Sequence, residues 1–189
     1  KHLTGILNGI DSAVWNPATD PHLAKRYSAR SLGDKVGNKH ALQARLGLAE
    51  GNERPLLGLF GRLVAQKGLE LILPVLDEIL ALPVQLAVLG TGESHYEQLL
   101  QARAAANPDT MAVVLAYDEN LAHGIEAGAD IFLMPSLFEP CGLNQLYSLR
   151  YGTLPLVRAV GGLADTVVDS NPQTLADGTA TGFVFEQPD

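Results

Sequence analysis

Short apolar runs alternate with longer amphipathic segments along most of the chain. Six of these runs, each four to six residues long, have the composition of buried strands, and they lie at 55–60, 84–89, 111–115, 130–134, 154–158 and 182–185. The clearest helix pattern spaces its apolar residues three and four positions apart from Leu69 to Leu80. Alternating strands and helices predict a parallel sheet with helices on both faces. We therefore expect a Rossmann-like α/β domain, which binds ligands at the carboxyl ends of its strands.

The first 38 residues lack this alternation. They are rich in Gly, Asn, Asp and Pro and carry turn signals such as Asn16-Pro17. We predict an irregular lead-in over 1–38, a Rossmann-like domain over 39–189, and a basic helix at about 38–48 that opens this domain. The chain begins without methionine and stops directly after the last apolar run. We therefore expect a piece of a longer protein, truncated at the C-terminal end of the domain.

Composition narrows the classes of function. The 189 residues, of which 47% are hydrophobic, suffice for one domain with a full core. A formal net charge of -8 argues against sequence-independent nucleic-acid binding, which requires a basic surface. Cys141 is the only cysteine, which excludes an intrachain disulfide and a cysteine zinc site. No apolar run approaches the roughly 20 residues of a membrane helix. We expect a cytoplasmic protein without nucleic-acid or membrane partners.

The loop after the first predicted strand carries two cations between two glycines. Arg62 and Lys67 lie between Gly61 and Gly68, directly before a predicted helix. An arginine can hold two phosphate oxygens with its planar fork, and a lysine adds a compact charge. Both residues could instead only cap or solvate the helix, but cations oppose the dipole at a helix N-terminus. This mismatch favours an anion-binding role.

The ends of the next two strands give weaker signals. Gly90-Thr91-Gly92 could bring the backbone close to a ligand, although an ordinary tight turn explains the two glycines more simply. Tyr117 could stack on a nucleobase or could simply pack in the core. The five histidines form no cluster with carboxylates, so we predict neither a metal site nor a cofactor.

The segment 135–143 places a carboxylate on the turn before a helix, which we predict to run from Gly142 to Tyr151. Glu139 has no obvious partner nearby in sequence. Carboxylates accept hydrogen bonds from vicinal hydroxyls, which favours a sugar-binding role; the alternative is a Glu that only complements the helix dipole. Unpaired amides at the helix start would attract phosphate. Cys141 lacks a nearby His, so packing explains it better than nucleophilic catalysis.

A second pair of glycines follows the fifth predicted strand. Gly161-Gly162 would expose consecutive amides before a helix that includes Thr166. Such amides form a candidate nest for an anion. A P-loop and a serine-hydrolase elbow are absent from the sequence.

Ordered blocks of sequence extend through essentially the whole chain. They are Gly5-Ile6-Leu7-Asn8-Gly9-Ile10-Asp11 with Trp15-Asn16-Pro17, Arg62-Leu63 with Gln66-Lys67-Gly68, Tyr117, Pro135-Ser136 with Phe138-Glu139-Pro140-Cys141-Gly142-Leu143, Tyr151-Gly152-Thr153-Leu154-Pro155, and Gly161-Gly162-Leu163-Ala164-Asp165-Thr166-Val167. Together these blocks resemble bacterial glycogen synthases and plant starch synthases. The resemblance implies a GT-B glycosyltransferase, in which two Rossmann-like domains face each other across a cleft.

The resemblance also implies a reaction. A synthase of this family transfers glucose from ADP-glucose to the non-reducing 4-hydroxyl of an α-1,4-glucan, with retention of configuration. The chain would be the donor-binding C-terminal domain, and its partner would be the N-terminal domain of the same protein, which carries a Lys-Thr-Gly-Gly-Leu motif. We expect this chain alone to be inactive.

Roles of individual residues follow from the resemblance. Arg62 and Lys67 would bind the diphosphate and neutralise charge on the departing ADP without a metal. Glu139 would hold the donor glucose through its hydroxyls, and Tyr117 would stack on adenine. The predicted substrate-binding set also contains Cys141, the helix-start residues Gly142, Leu143 and Asn144, whose amides would meet the distal phosphate, and Gly161, Gly162 and Thr166.

At two positions the sequence departs from residues that are common in related enzymes, and this affects which family roles can be assigned to this chain. Asn144 stands where Thr is common in the family, although its amide can still donate a hydrogen bond. Tyr147 stands where many related retaining enzymes have a second Glu for the ribose. The synthases share this substitution, which separates them from sucrose synthases and mannosyltransferases of similar fold.

Two other classes of function stay open. A binding module without chemistry would hold ADP or ADP-glucose weakly. A nicotinamide-dependent dehydrogenase domain would use a similar sheet, but the sequence lacks its GxGxxG turn and its ribose-binding acid.

Overall fold

The structure, a computed structural model, describes residue 4 and residues 8–187. Within these residues, six parallel strands form one sheet in the order β3-β2-β1-β4-β5-β6. The strands are β1 (Leu56–Phe60), β2 (Gln85–Leu89), β3 (Met111–Val114), β4 (Ile131–Met134), β5 (Leu154–Arg158) and β6 (Phe183–Phe185). All six predicted strands are confirmed, and with them the Rossmann-like α/β fold.

Eight α-helices in the same part of the chain connect or precede these strands. They are α1 (Lys35–Leu46), α2 (Leu69–Ile72), α3 (Leu76–Ala81), α4 (Ser94–Ala106), α5 (Glu119–Gly128), α6 (Asn144–Tyr151), α7 (Gly161–Thr166) and α8 (Pro172–Ala176). None of the helices in the described ranges is long and apolar enough to cross a membrane.

Helices cover both faces of the sheet. Residues of α1, α5 and α7 form one apolar core with the sheet, and residues of α2, α3 and α4 form the other. Gly58, inside β1, admits α5 to close contact with the sheet, because a Cβ there would lie 2.6 Å from Ile125 Cγ2. Strands buried on both faces explain why nearly continuous apolar runs marked them in the sequence.

The helix predicted from Leu69 to Leu80 is interrupted. It consists of α2, a 3-10 turn at Leu73–Val75 and α3. Pro74 causes the break, because proline has no N–H to donate and its ring disfavours a continuous helix.

The start of α1 also differs from the prediction. A 3-10 helix at Ala29–Asp34 leads directly into α1, which begins at Lys35 and ends at Leu46, where Gly47 adopts a left-handed conformation. Part of the segment predicted to be irregular is therefore helical. The division between a lead-in and a domain at residue 38 stays a prediction, and positions 5–7 of the first sequence block lie outside the described residues.

The segment before α1 and the first residue of α1 pack against α5 and α6. The Tyr27 hydroxyl donates to the Tyr151 carbonyl at 2.7 Å, and the Lys35 ammonium donates to the carbonyls of Glu126 at 3.0 Å and Ala127 at 2.8 Å. These contacts join the N-terminal segment to the face of the sheet that carries α5.

The strand order predicts a ligand-binding crevice between β1 and β4. The chain leaves β1 towards β2 on one side, whereas β4, the other neighbour of β1, leads towards β5. Ligands of open α/β sheets bind where the order reverses in this way, at the carboxyl ends of the two strands. The loops after β1 and β4 therefore form the expected site.

Candidate nucleotide-sugar site

A cavity of about 230 Å³ opens at the carboxyl ends of β1 and β4. Its lining comprises Leu59, Phe60, Gly61, Arg62, Lys67, Leu69, Leu133, Met134, Ser136 and Asn144. Both predicted cations thus face one cavity at the point where the strand order reverses.

The loop after β1 lies close to the end of β4 because of one glycine. Gly68 has a φ of 77°, and a Cβ at this position would lie 1.9 Å from the Pro135 carbonyl oxygen. Only glycine adopts this conformation without strain and also leaves room for the neighbouring backbone. Gln66 then links the two loops, because its carbonyl accepts from the Leu137 amide at 2.9 Å and its side chain donates to the Phe138 carbonyl at 3.0 Å.

Glu139 has a partner that sequence reasoning did not find. The Lys67 ammonium lies 2.5 Å from Glu139 Oε2, across 72 positions of the chain. The carboxylate is nearly buried and also accepts from the Ser136 hydroxyl at 3.4 Å. Glu139 Oε1 has no hydrogen-bond partner within the described chain, and Lys67 keeps further N–H donors. The pair can therefore meet an anion and a hydroxyl group at the same time.

The start of α6 supplies backbone donors beside this pair. The helix begins at Asn144 and not at Gly142 as predicted, because Gly142 adopts a left-handed φ of 74°. The Asn144 side chain donates to the Phe60 carbonyl at 3.2 Å and holds the helix start against the end of β1. The amides of Gly142, Leu143 and Asn144 find no acceptor among residues 8–187. Free amides at a helix N-terminus suit an anion.

Arg62 lies where two cavities adjoin. A second cavity, of about 260 Å³, shares Phe60, Gly61 and Arg62 with the first. It extends past Tyr117 at the end of β3. The Tyr117 side chain is 94% exposed, so the alternative that it packs in the core is wrong. Stacking of Tyr117 on a base stays a prediction. Its exposed ring would be accessible to a base.

The glycines after β2 serve backbone packing. A Cβ on Gly90 would lie 1.9 Å from the Gly61 carbonyl oxygen, and one on Gly92 would lie 2.0 Å from the Leu63 carbonyl oxygen. These contacts fit the tight-turn interpretation, because the glycines let the loop after β1 lie against the loop after β2. Gly90 and Thr91 also line the second cavity, so a backbone contact with a ligand stays a prediction.

The paired glycines before α7 also support a loop. A Cβ on Gly161 would lie 2.2 Å from the Glu139 carbonyl oxygen, and one on Gly162 would lie 2.2 Å from the Cys141 carbonyl oxygen. The prediction that both amides are exposed is wrong for Gly162, because its amide donates to the Glu139 carbonyl at 3.1 Å. The Thr166 hydroxyl accepts from the Gln145 side chain at 3.1 Å. Direct substrate contacts by Gly161, Gly162 and Thr166 stay predictions.

Cys141 is half-buried on the same loop. Its carbonyl accepts from the Gln145 side chain at 2.9 Å, which fixes the loop to α6. A contact between its thiol and a substrate stays a prediction.

A buried polar cluster behind α6 was missed in the sequence. Asp20, His123 and Tyr151 are almost fully buried, with His123 Nδ1 2.6 Å and the Tyr151 hydroxyl 2.5 Å from Asp20 Oδ2. Burial raises the pKa of Tyr151, and the hydrogen bond to the Asp20 carboxylate raises it further. These residues come from three separate segments, so no local pattern marks them.

A second buried polar group lies beside this cluster. Burial raises the pKa of Glu126 to about 8, partly offset by the hydrogen bond that the Ser148 hydroxyl donates at 2.9 Å. Burial likewise lowers the pKa of Lys35 to about 7, against the opposing effect of the Glu126 carboxylate. In the sequence, the only indication of this buried group is that Glu126 stands among the apolar residues of α5.

Comparisons with known proteins agree with this geometry. The family model for glycosyl transferases of group 1 matches residues 43–189. A glycogen synthase of Methylococcus capsulatus is 58% identical over 97% of the chain, and one of Cellvibrio japonicus is 59% identical over 100%. The chain spans 37% and 39% of the length of these two relatives.

A solved structure supports the same assignment. The catalytic domain of starch synthase IV from Arabidopsis thaliana, bound to ADP and acarbose, matches 98% of the chain with a TM-score of 0.90 and 42% identity, and the match covers 38% of that chain. The present chain therefore belongs to the group 1 glycosyltransferase family, within which it is similar to the glycogen synthases.

Proposed function

We propose that the chain is the donor-binding part of a glucan synthase, which transfers glucose from ADP-glucose to the non-reducing end of an α-1,4-glucan with retention of configuration. One observation carries the proposal: Arg62, Lys67, Glu139 and the free amides of α6 meet at the switch point of the sheet. This arrangement combines donors for a diphosphate with an acceptor for sugar hydroxyls.

The cations and the helix start would hold the diphosphate. Arg62 and Lys67 line the cavity of about 230 Å³, and both retain N–H groups for phosphate oxygens. As the bond to glucose breaks, negative charge grows on the leaving phosphate. Fixed cations and backbone dipoles stabilise that charge without reorganising, which lowers the barrier without a metal.

Glu139 would hold the transferred sugar. Its free Oε1 can accept from a glucose hydroxyl, while Oε2 stays on Lys67 and Ser136. The ion pair thus connects the sugar contact to the phosphate contact. For a retaining reaction we infer attack from the face of the departing phosphate, which takes up the proton of the acceptor hydroxyl.

Adenine is the proposed base. The Arabidopsis starch synthase, at 42% identity, was solved with ADP. Tyr117 supplies an exposed aromatic face at the second cavity, on which a base can stack. The acceptor glucan and the second wall of the cleft would involve the part of the longer relatives that this chain does not span.

Calorimetry with three ligands tests the proposal. We expect the chain to bind ADP more tightly than UDP, and to bind pyrophosphate through the same phosphate contacts. Arg62→Ala and Lys67→Ala should each weaken ADP binding by about tenfold or more, because each removes a charge-assisted hydrogen bond.

Arg103→Ala is a matched control for these variants. Arg103 on α4 forms an exposed ion pair with Asp77 on α3 at 3.1 Å, and neither residue lines the two cavities, so the loss of Arg103 should leave ADP binding unchanged. ADP binding that is equally strong in wild type, Arg62→Ala and Lys67→Ala would contradict the proposal.

A further inference from the structure

We propose that Trp15, from the segment before α1, forms part of the wall that holds the nucleoside of the bound nucleotide. The inference rests on the proposed function and adds a specificity-determining residue to it. Trp15 lines the cavity of about 260 Å³ together with Arg62 and Tyr117. The nucleoside cavity, as we call it, therefore includes a residue that lies 47 positions before Arg62 in the chain.

The nucleoside cavity continues from the phosphate cavity. Phe60, Gly61 and Arg62 line both spaces, so a ligand that fills one extends directly into the other. A nucleoside diphosphate has this composition, with a strongly charged part joined to a largely uncharged ring system. Trp15 and Tyr117 lie on the side away from Lys67, where the uncharged part would lie.

Trp15 is held in one orientation. Its ring stacks on His123 and on Tyr147, each with a centroid separation of 3.8 Å and with interplanar angles of 13° and 8°. Both faces of the indole are thus covered. The ring cannot stack on a base, and it presents an edge to the cavity instead.

The chemistry of that edge suits a ribose or a base. The indole N–H is a donor only, and it has no acceptor within residues 8–187, although it is not fully buried. Beside it lies apolar ring carbon. A hydroxyl or ring nitrogen of a nucleoside can accept from this N–H while the carbon edge excludes water.

The residues that pack behind Trp15 are buried and joined by hydrogen bonds. His123 lies against Asp20 at 2.6 Å, and Asp20 also accepts from the Tyr151 hydroxyl. Tyr147 and Tyr151 belong to α6, whose first residues lie at the phosphate cavity. Helix α6 therefore positions both the amides at the phosphate cavity and the Tyr147 ring that stacks on Trp15. The phosphates and the nucleoside of a bound nucleotide would thus both lie against residues fixed by the same helix.

Trp15 is the only tryptophan of the chain, so its fluorescence reports on this position alone. We expect ADP to change the Trp15 emission with the dissociation constant that calorimetry gives. Pyrophosphate fills only the phosphate cavity and should leave the emission nearly unchanged. ADP binding seen by calorimetry without a change in emission would overturn the inference and leave the proposed function standing. Failure of ADP to bind by either method would overturn both.

Substitution gives an independent test. Trp15→Phe keeps an aromatic ring between His123 and Tyr147 but removes the N–H and shortens the edge. We expect the dissociation constant for ADP to rise about fivefold, and that for pyrophosphate to stay at the wild-type value. His95→Leu is the control: it removes an aromatic ring on α4 that is tilted by 43° against the Tyr96 ring, with the two centroids 3.7 Å apart.

A thermal melt separates binding from folding. Trp15→Phe should unfold within a few degrees of wild type, because the stack is retained. If Trp15→Phe binds ADP as tightly as wild type, or if it loses ADP and pyrophosphate binding equally, Trp15 has no specific role at the nucleoside.

Discussion

Glu139 and Lys67 illustrate how much a single pair of residues contributes to the site. The carboxylate is nearly buried, and a buried charge is costly without a partner. Lys67 provides that partner at 2.5 Å. Lys67 can hold a diphosphate through its remaining N–H groups while it stays on Glu139, so phosphate and sugar binding are expected to be coupled through this pair.

Glu139→Gln tests that coupling. The substitution removes a negative charge beside the phosphate site, so ADP should bind as tightly as in wild type or a few times more tightly. ADP-glucose should bind more weakly than in wild type, because its sugar loses a charge-assisted hydrogen bond worth about 1.5–3 kcal/mol, which outweighs a gain of a few fold at the phosphates. Calorimetry with both ligands measures the ratio of the two constants. An equal change for both ligands would show that Glu139 does not contact the sugar.

Glu126 gives the protein a predictable dependence of stability on pH. Its carboxyl has a pKa near 8 in the folded chain, against 4.5 in the unfolded chain. Between these values the unfolded state releases its proton and the folded state does not, so the free energy of unfolding falls as the pH rises. Lys35 has the opposite effect above about pH 7, its pKa in the folded chain. There the folded state loses the Lys35 proton while the unfolded state keeps it, so the contribution of Lys35 to the free energy of unfolding rises with pH.

We expect the contribution of Glu126 to fall by roughly 2 kcal/mol between pH 5 and pH 7. Glu126→Gln mimics the protonated carboxyl at every pH, and its amide oxygen can still accept from Ser148. Urea unfolding should therefore give similar stabilities for wild type and variant at about pH 4, below the unfolded pKa, and a more stable variant at pH 7. Parallel pH profiles for the two proteins would contradict this account.

The residues of the site could be predicted only where a local pattern marked them. Arg62, Lys67 and Glu139 stand on Gly- or Pro-bounded turns directly after apolar runs, which identified them. The Lys67–Glu139 pair joins residues 72 positions apart, and the contact between His123 and Asp20 spans 103 positions. Such pairs form only when the sheet is assembled, so no sequence window contains them.

At the scale of elements, the strands were easier to predict than the helices. A strand buried on both faces is apolar throughout, so its sequence alone identifies it. The start of α1 depends on Lys35, whose ammonium reaches Glu126 and Ala127 about 91 positions away. The break within the second helical segment had a local signal, since Pro74 favours the first turn of a new helix.

Contacts between elements determine the position of the Glu139 loop. Gly162, in the first turn of α7, leaves room for the Cys141 carbonyl, and its own amide binds the Glu139 carbonyl. Gly162→Ala would place a Cβ 2.2 Å from that Cys141 oxygen. We expect a loss of about 1–3 kcal/mol in unfolding free energy, because backbone atoms must move. The displaced loop should also weaken ADP-glucose binding.

Gly124→Ala is the matched control for Gly162→Ala. Gly124 lies inside α5, and a Cβ there would meet nothing within 4 Å. The substitution should raise the unfolding free energy by up to about 1 kcal/mol, because alanine favours helices over glycine. Denaturant unfolding compares the two variants. If Gly162→Ala were as stable as Gly124→Ala, the packing role of Gly162 would be wrong.

At the scale of the whole molecule, topology places the site. The sequence predicted a parallel α/β sheet but not the order of its strands, because pairing between strands depends on contacts that no local period encodes. The observed order brings β1 beside β4, and so brings Arg62 and Lys67 beside Glu139. In a chain with a net charge of -8, these cations form a local positive site in an otherwise acidic protein.

The last prediction concerns the chain as a catalyst. Its donor groups lie at one edge of one sheet, and Tyr117 and Phe138 beside them are 94% and 63% exposed. Glucose transfer requires an acceptor hydroxyl held against the donor, and it requires exclusion of water from the reacting centre. The exposed edge of one sheet meets neither condition, because it leaves the donor open to water and holds no acceptor against it. We therefore expect the 189-residue chain to bind ADP-glucose and to transfer no measurable glucose to glycogen.

Radiolabelled ADP-glucose provides the measurement, with glycogen as acceptor and free glucose counted separately to detect hydrolysis. Binding measured in the same preparation shows that the chain is folded, and Glu139→Gln distinguishes true activity from a contaminant. Transfer that exceeds the background and disappears in Glu139→Gln would mean that this wall alone orients both substrates. Binding without transfer is the expected result, because the described residues contain the proposed donor-binding groups and form only one wall of the proposed cleft.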